Sequence, residues 1–216
     1  MSHQLIISID GPTASGKTSL AYGLAARLGT HVLDTGLTYR GVAYAALREP
    51  VSPDGRLFDV LRHDLAPPAG ARLRSPAVVY HGRDVTDAIW SPEVEQQLRT
   101  IAADPAWRRR ITDYHRMIIS RHRRVIAVGR DCATTITTNA GVHVFLTAAE
   151  AVRRERRRAQ FRTQPRRAVT VGPATATDHI VREYISRQPR GLILETTFLP
   201  RSATLRAVLH HLGDHR

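Results

Sequence analysis

The stretch Leu5-Ile6-Ile7-Ser8-Ile9-Asp10-Gly11-Pro12-Thr13-Ala14-Ser15-Gly16-Lys17-Thr18 decides the fold. Leu5 to Ile9 is a short apolar, β-rich run suited to a buried parallel strand. Gly11 to Thr18 matches G-x-x-x-x-G-K-[ST] in full, and Ser19 to Leu28 carries Leu20, Leu24 and Leu28 at helical spacing. Strand, glycine loop and helix in that order define a phosphate-binding P-loop. Gly11 and Gly16 let backbone N–H groups turn inward around an anion, and the helix N-terminus adds its positive dipole end. Gly11, Thr13, Ala14, Ser15, Gly16, Lys17, Thr18 and Ser19 form the expected ATP-binding set. Lys17 is expected to reach the β- and γ-phosphates, and the Thr18 hydroxyl to ligate Mg²⁺.

The charge balance sharpens this reading. The 216-residue chain has 32 Lys plus Arg against 19 Asp plus Glu, a net charge of +13. Lys17 is its one lysine, the other basic residues being arginine. An ammonium on a flexible stem does what a planar guanidinium does poorly, and the chain keeps it where phosphates are to be held. With that lysine in the loop, an N-K-x-D guanine motif is absent, which selects ATP over GTP. Cys132 is the only cysteine, so a disulfide framework and a thiolate zinc cluster are excluded, and a reducing, cytoplasmic setting is expected. No stretch approaches the roughly 20 apolar residues of a spanning helix. The first residues read as a strand, not a signal peptide.

Outward from the loop, strands alternate with helices. Val32–Asp34, Val125–Val128, Val142–Leu146 and Leu192–Leu194 read as strands. Helices are expected from Thr35 to about Arg48, over Pro92–Ala103, Ala106–His122, Ala148–Phe161 and near Thr177–Arg187, with a last one at about Ser202–Leu212. Glu49–Pro76 reads as irregular insertion, Val78–Val85 as a hairpin arm, and residues 162–178 as a mobile lid. The pattern predicts an α/β fold with a doubly wound parallel sheet. Ligands then sit at the carboxyl ends of the strands, where Asp10, Asp34, Arg130 and Asp131 fall.

Further blocks narrow the class. Leu33-Asp34-Thr35-Gly36-Leu37-Thr38-Tyr39-Arg40, Gly82-Arg83-Asp84-Val85-Thr86, Trp107-Arg108 and Ile126-Ala127-Val128-Gly129-Arg130-Asp131 follow the P-loop in order. With them the chain resembles the cytidylate kinases, a branch of the P-loop nucleoside monophosphate (NMP) kinases, over most of residues 4–160; the remainder matches poorly. The resemblance implies transfer of the ATP γ-phosphoryl group to a pyrimidine nucleoside monophosphate of CMP or dCMP type. It implies one kinase domain over 1–216, with an acceptor-binding insertion at 50–105 and a lid at 158–190. By matching position, Thr35, Tyr39, Arg40, Arg108, Arg130 and Asp131 are its acceptor-site residues, and Arg153, Arg157, Arg182 and Arg187 its lid arginines. Lys17, Asp10, Asp34, Arg130 and Arg157 form the expected catalytic set, with Thr18 and Asp10 at magnesium. Arg forks suit the acceptor phosphate, because they bind its oxygens bidentately.

Simpler readings stand beside these. Asp34 also fits the cap of the following helix, Arg40 a helix surface charge, Arg130 and Asp131 a local ion pair, and Cys132 a small packing residue. The family carries Asp where this chain has Val128, and Ile-Arg where it has Ile89-Trp90. Its lid motif R-D-x-x-D-x-x-R is reduced to the stretch from Arg182 to Arg190. These departures touch the acceptor and lid regions, not the P-loop. A second reading is therefore a small-molecule or modified-nucleotide kinase on the same scaffold. A third, a nucleic-acid-binding P-loop protein, draws on the +13 charge, but no zinc finger, helix-turn-helix or RNP-like aromatic pattern accompanies it. The expected partners are ATP and a small anionic acceptor, with neither membrane nor nucleic acid. Oligomeric state does not follow from the sequence.

Overall fold

In the computed structural model, residues 4–65, 76–163, 171 and 173–213 are described. Five strands form the central sheet: β1 (Leu5–Asp10), β2 (His31–Asp34), β6 (Arg124–Val128), β7 (Val142–Thr147) and β8 (Gly191–Glu195). Their order is β2-β6-β1-β7-β8, and every pairing is parallel. The doubly wound sheet expected from the sequence is thus present.

Strand alternation explains the two layers. Ile7, Ile9, Ile126, Val128, Val142 and Val144 face a cluster completed by Leu20 and Leu24 of α1 (Lys17–Leu28) and Val208 of α9 (Arg201–Gly213). Ile6, Val125 and Ala127 face the other way. They meet Tyr114, Ile118 and Ile119 of α5 (Pro105–Ser120) and Cys132 of α6 (Cys132–Thr135). Both faces are covered, so the strands read as near-continuous apolar runs.

A second layer of structure grows between α2 (Thr35–Ala46) and α5. It holds α3 (Leu57–Val60), a three-stranded antiparallel sheet of β3 (Leu61–Asp64), β4 (Ala77–Tyr80) and β5 (Arg83–Asp84), a 3-10 turn at Ala88–Trp90, and α4 (Pro92–Ala103). The β4–β5 hairpin matches the expected arm, and both turn residues, His81 and Gly82, have positive φ. The expectation of an irregular segment from Glu49 to Pro76 is corrected, because β3 pairs with β4 from Leu61↔Tyr80 to Asp64↔Ala77. Only Leu61 and His63 of this strand are buried. Four residues with Arg, His and Asp among them give too short an alternation to stand out in the sequence. Residues 66–75 lie outside the described residues.

Next come α7 (Glu150–Thr163) and α8 (Ala176–Ser186), the two helices flanking the expected lid. Of that lid, 164–170 and 172 lie outside the described residues. Thr175 and Asp178 form a capping box that starts α8. Among the described residues no helix is long and apolar enough to cross a membrane.

Candidate active site

At the carboxyl end of β1 the chain turns through Gly11 (φ 135), Ala14 (φ 63) and Gly16 (φ 105) into α1. A Cβ on Gly11 would stand 2.0 Å from the Leu146 carbonyl oxygen, so only glycine lets the loop lie against β7. Lys17 Nζ donates to the Pro12 carbonyl at 2.8 Å, closing the loop on itself. Burial, reinforced by Arg130, lowers the lysine pKa to about 8, while Asp178, Asp10 and Asp34 pull the other way.

Arginines brace this loop from outside. Arg130, just past β6, donates from Nη2 to Thr13 Oγ1 at 2.5 Å. Arg153 of α7 is buried and donates to the carbonyls of Ala148 (3.1 Å) and Thr13 (3.2 Å). Arg156 donates to Thr196 Oγ1 (3.1 Å) and to its carbonyl (2.5 Å), and the Thr196 hydroxyl lies 3.0 Å from the Ser15 carbonyl. Arg153, expected in a lid, is thus part of the loop's wall. Arg157 donates instead to Gln160 of its own helix at 2.6 Å, Arg187 pairs with Glu183 one turn back, and Arg182 is exposed.

Asp10 has no solvent exposure, and its two oxygens accept the amides of Cys132 (2.8 Å) and Ala133 (3.0 Å). Burial outweighs these donors and raises its pKa to about 6. The carboxylate thereby caps α6 and fixes the preceding Arg130-Asp131 relative to the P-loop. Cys132 is buried, with its thiol pushed up by desolvation, as befits a packing residue. Asp34 accepts the Gly36 amide at 3.2 Å, so the capping reading holds, and its charge also reaches Lys17. Thr35 donates to the Val128 carbonyl at 3.1 Å and joins the ends of β2 and β6.

Tyr39, Arg108 and Asp131 come together beside this seam. Arg108 pairs with Asp131 across 23 positions of sequence. Burial, then the charge of Asp131, lifts the Tyr39 hydroxyl to about 12. Arg130 and Asp131 are not paired with each other: Asp131 takes Arg108, and Arg130 Nη1 lies 3.9 Å from Asp178 Oδ2. Arg40 is no surface charge. It is buried, donates to Glu95 Oε2 at 2.5 Å and to the Ile89 carbonyl at 3.4 Å, and lies 4.2 Å from the Trp90 ring centre.

Sequence reasoning missed Asp178 and Glu95. Asp178 is 2% exposed, and its Oδ1 has no partner among the described residues. The T-x-x-D spacing at 175–178 was the available signal, but it announces a helix start and says nothing of Arg130. Glu95 carried no signal at all.

A glycine cradle at a helix N-terminus with one lysine inside it defines a P-loop protein. The sequence model of the cytidylate kinase family matches residues 7–205, well past the blocks that carry the resemblance. The chain belongs to the cytidylate kinase family. Over 163 residues it is 40% identical to the cytidylate kinase of Chloroflexus aggregans, covering 73% of this chain and 70% of that one. Over 162 residues it is 38% identical to the cytidylate kinase of Solibacter usitatus, covering 74% and 68%. A bifunctional pantoate ligase/cytidylate kinase of Synechocystis is 34% identical over 182 residues; the match covers 82% of this chain and 35% of that protein.

Proposed function

We propose that this chain catalyses ATP-dependent phosphorylation of CMP and dCMP. Membership of the cytidylate kinase family carries the reading. The approach of a complete P-loop to the Tyr39–Arg108–Asp131 cluster at the carboxyl ends of β1, β2 and β6 supports it.

In this reading the P-loop amides and Lys17 hold the β- and γ-phosphates, with Lys17 exchanging the Pro12 carbonyl for the nucleotide. Arg130 stands between loop and acceptor and neutralises charge on the transferred group. The acceptor lies against Tyr39, Arg108 and Asp131. Tyr39 stays protonated at neutral pH and donates a hydrogen bond; Asp131, held by Arg108, accepts one from a ribose hydroxyl or a base amino group. Asp10 acts through the backbone at 132–133 and is a positioning residue. Hard oxygen donors suit Mg²⁺, and the Thr18 hydroxyl with the Asp10 or Asp34 carboxylate would provide them; each carboxylate also accepts backbone amides, Asp10 from Cys132 and Ala133 and Asp34 from Gly36. When bound, the cation draws charge from the β- and γ-phosphate oxygens. Arg153 and Arg156 keep the loop in place, and Arg157 and Arg182 remain lid candidates.

Coupled ADP release with CMP, dCMP, UMP and non-nucleotide acceptors tests the proposal. CMP and dCMP should respond strongly, and Lys17→Ala should abolish the response while the far-UV spectrum is unchanged. Silence with both cytidine nucleotides and a response to a non-nucleotide acceptor overturns it.

A further inference from the structure

Beneath the proposed acceptor pocket lies a polar cluster that the phosphoryl-transfer chemistry does not use. Thr38 of α2 is 1% exposed, His63 of β3 is 4% and His115 of α5 is 0%. The Thr38 hydroxyl lies 2.9 Å from His63 Nδ1 and 2.8 Å from His115 Nε2. The Thr38 side chain thus joins α2 to both β3 and α5. The outward nitrogens of the two rings, His63 Nε2 and His115 Nδ1, have no partner among the described residues. Leaving two buried polar atoms unsatisfied costs stability. An apolar trio would avoid that cost, so stability alone does not account for the arrangement.

Its placement does. Successive residues of an α-helix are rotated by about 100°, so fixing the direction of Thr38 fixes that of Tyr39 beside it. On α5, His115 lies seven residues beyond Arg108, on the same helix face two turns away. That face therefore meets α2 at Thr38 and carries Arg108 to Asp131. The Tyr39 ring centre is 6.4 Å from that of His115. The His63 amide donates to the Tyr114 hydroxyl at 3.1 Å, and Phe58 stacks on Tyr114 at 4.1 Å, so the inserted β3 is tied to the same helix.

We propose that Thr38 is a positioning residue for the acceptor: by bridging His63 and His115 it sets the rotation of α2 against α5, and with it the spacing of Tyr39 from Arg108 and Asp131. The proposal rests on the reading of Tyr39, Arg108 and Asp131 as the acceptor pocket. It carries a sharp chemical consequence. A hydroxyl has one proton and two lone pairs, so Thr38 either donates to one ring and accepts from the other or accepts from both. If it donates to His63 Nδ1, both rings carry their proton on Nε2. If it donates to His115 Nε2, both carry it on Nδ1. One mixed pair, His63 Nδ1–H with His115 Nε2–H, keeps both bonds because the hydroxyl accepts twice; the other, with both facing nitrogens unprotonated, breaks one of them. Burial keeps both rings neutral, lowering His63 to about 4 and His115 to about 3.

The experiment has two parts. Long-range ¹H–¹⁵N spectra of the wild-type protein, with the two rings assigned by His63→Gln and His115→Gln, should show two neutral rings at pH 7, with His63 protonated on Nδ1, His115 protonated on Nε2, or both. His63 protonated on Nε2 together with His115 protonated on Nδ1 overturns the bridge without any variant of Thr38 having to fold. Steady-state kinetics then compare Thr38→Val, Thr38→Ser and Arg108→Gln. Thr38→Val should raise the CMP KM about tenfold, since small misplacements of a bound group cost that much or more. The ATP KM should stay unchanged, and Thr38→Ser should restore most of the CMP KM. An equal rise for both substrates, or none, overturns the proposal. A raised CMP KM in Arg108→Gln with none in Thr38→Val overturns the role of Thr38 alone. An unchanged CMP KM in Arg108→Gln overturns the pocket assignment itself, and with it the action of Thr38 on the acceptor.

Discussion

Arg130 Nη2 donates to Thr13 Oγ1 at 2.5 Å, while Nη1 of the same guanidinium lies 3.9 Å from Asp178 Oδ2. A residue just past β6 thus touches the P-loop with one arm and faces α8 with the other. A guanidinium fork can do both at once; an ammonium cannot.

Arg130→Ala should therefore lower kcat by about 10²–10³-fold, the usual loss for one preorganised charge donor. Arg130→Lys should recover only part of it, because charge is kept and one arm is lost. Steady-state rates with CMP, alongside melting curves showing an intact fold, check this.

Asp10 holds α6 by two backbone amides. Asp10→Asn replaces one acceptor oxygen with an NH₂ group facing an N–H. A loss of about 1–3 kcal/mol is expected, from an amide left unsatisfied in the interior. Urea unfolding measures it, and the activity of the folded fraction should fall as well, because Arg130 and Asp131 precede that helix.

The Arg40–Glu95 pair is nearly dry, at 7% and 20% side-chain exposure. Removing either partner leaves a charge without its counterpart, which costs about 3 kcal/mol in such settings. Arg40→Ala and Glu95→Ala should each destabilise by that order, and the double mutant by clearly less than their sum. A simple sum in urea titrations would show that the pair contributes no coupling. Glu95→Ala also separates the structural role of Arg40 from any role in binding the acceptor.

Stability should fall as the solution is acidified below pH 6.5. His63 and His115 are held neutral by burial, with pKa values near 4 and 3. Between the ordinary value and these, the unfolded chain takes up protons that the folded chain refuses. Their stabilisation is full above pH 6.5 and is lost as the pH drops through 4 for His63 and 3 for His115. Asp10 works the other way: its pKa is raised to about 6, so its contribution is full below pH 3.8 and lost as the pH rises through 6. Between pH 6 and 4 one ring is offset, and a net loss of about 1.4 kcal/mol per pH unit remains. Urea titrations at pH 6 and 5 measure the slope, and Asp10→Asn should steepen it.

Much of the fold was legible because its signals are local. The P-loop is one contiguous motif, and the strands of a sheet covered on both faces are short apolar runs. The helices at 92–103 and 105–120 begin with a cap followed by proline, at Ser91-Pro92 and Asp104-Pro105. β3 was not legible, because four residues with one buried pair give no period. In the candidate site the residue types could be named, but not their partners. Arg153 and Arg157 look alike in an arginine-rich helix, yet one braces Thr13 and the other returns to Gln160.

The sequence by itself determined the phosphate cradle, the parallel sheet and the family, since each is written in neighbouring residues and their periodicity. Only the tertiary structure decided that Asp131 pairs with Arg108, that Asp10 caps a helix, that Arg40 is buried on Trp90 and Glu95, and that Thr38 joins two histidines. Those contacts span 23 to 123 positions of chain. Which guanidinium meets which carboxylate depends on how the helices pack over the sheet, and no local pattern encodes that packing.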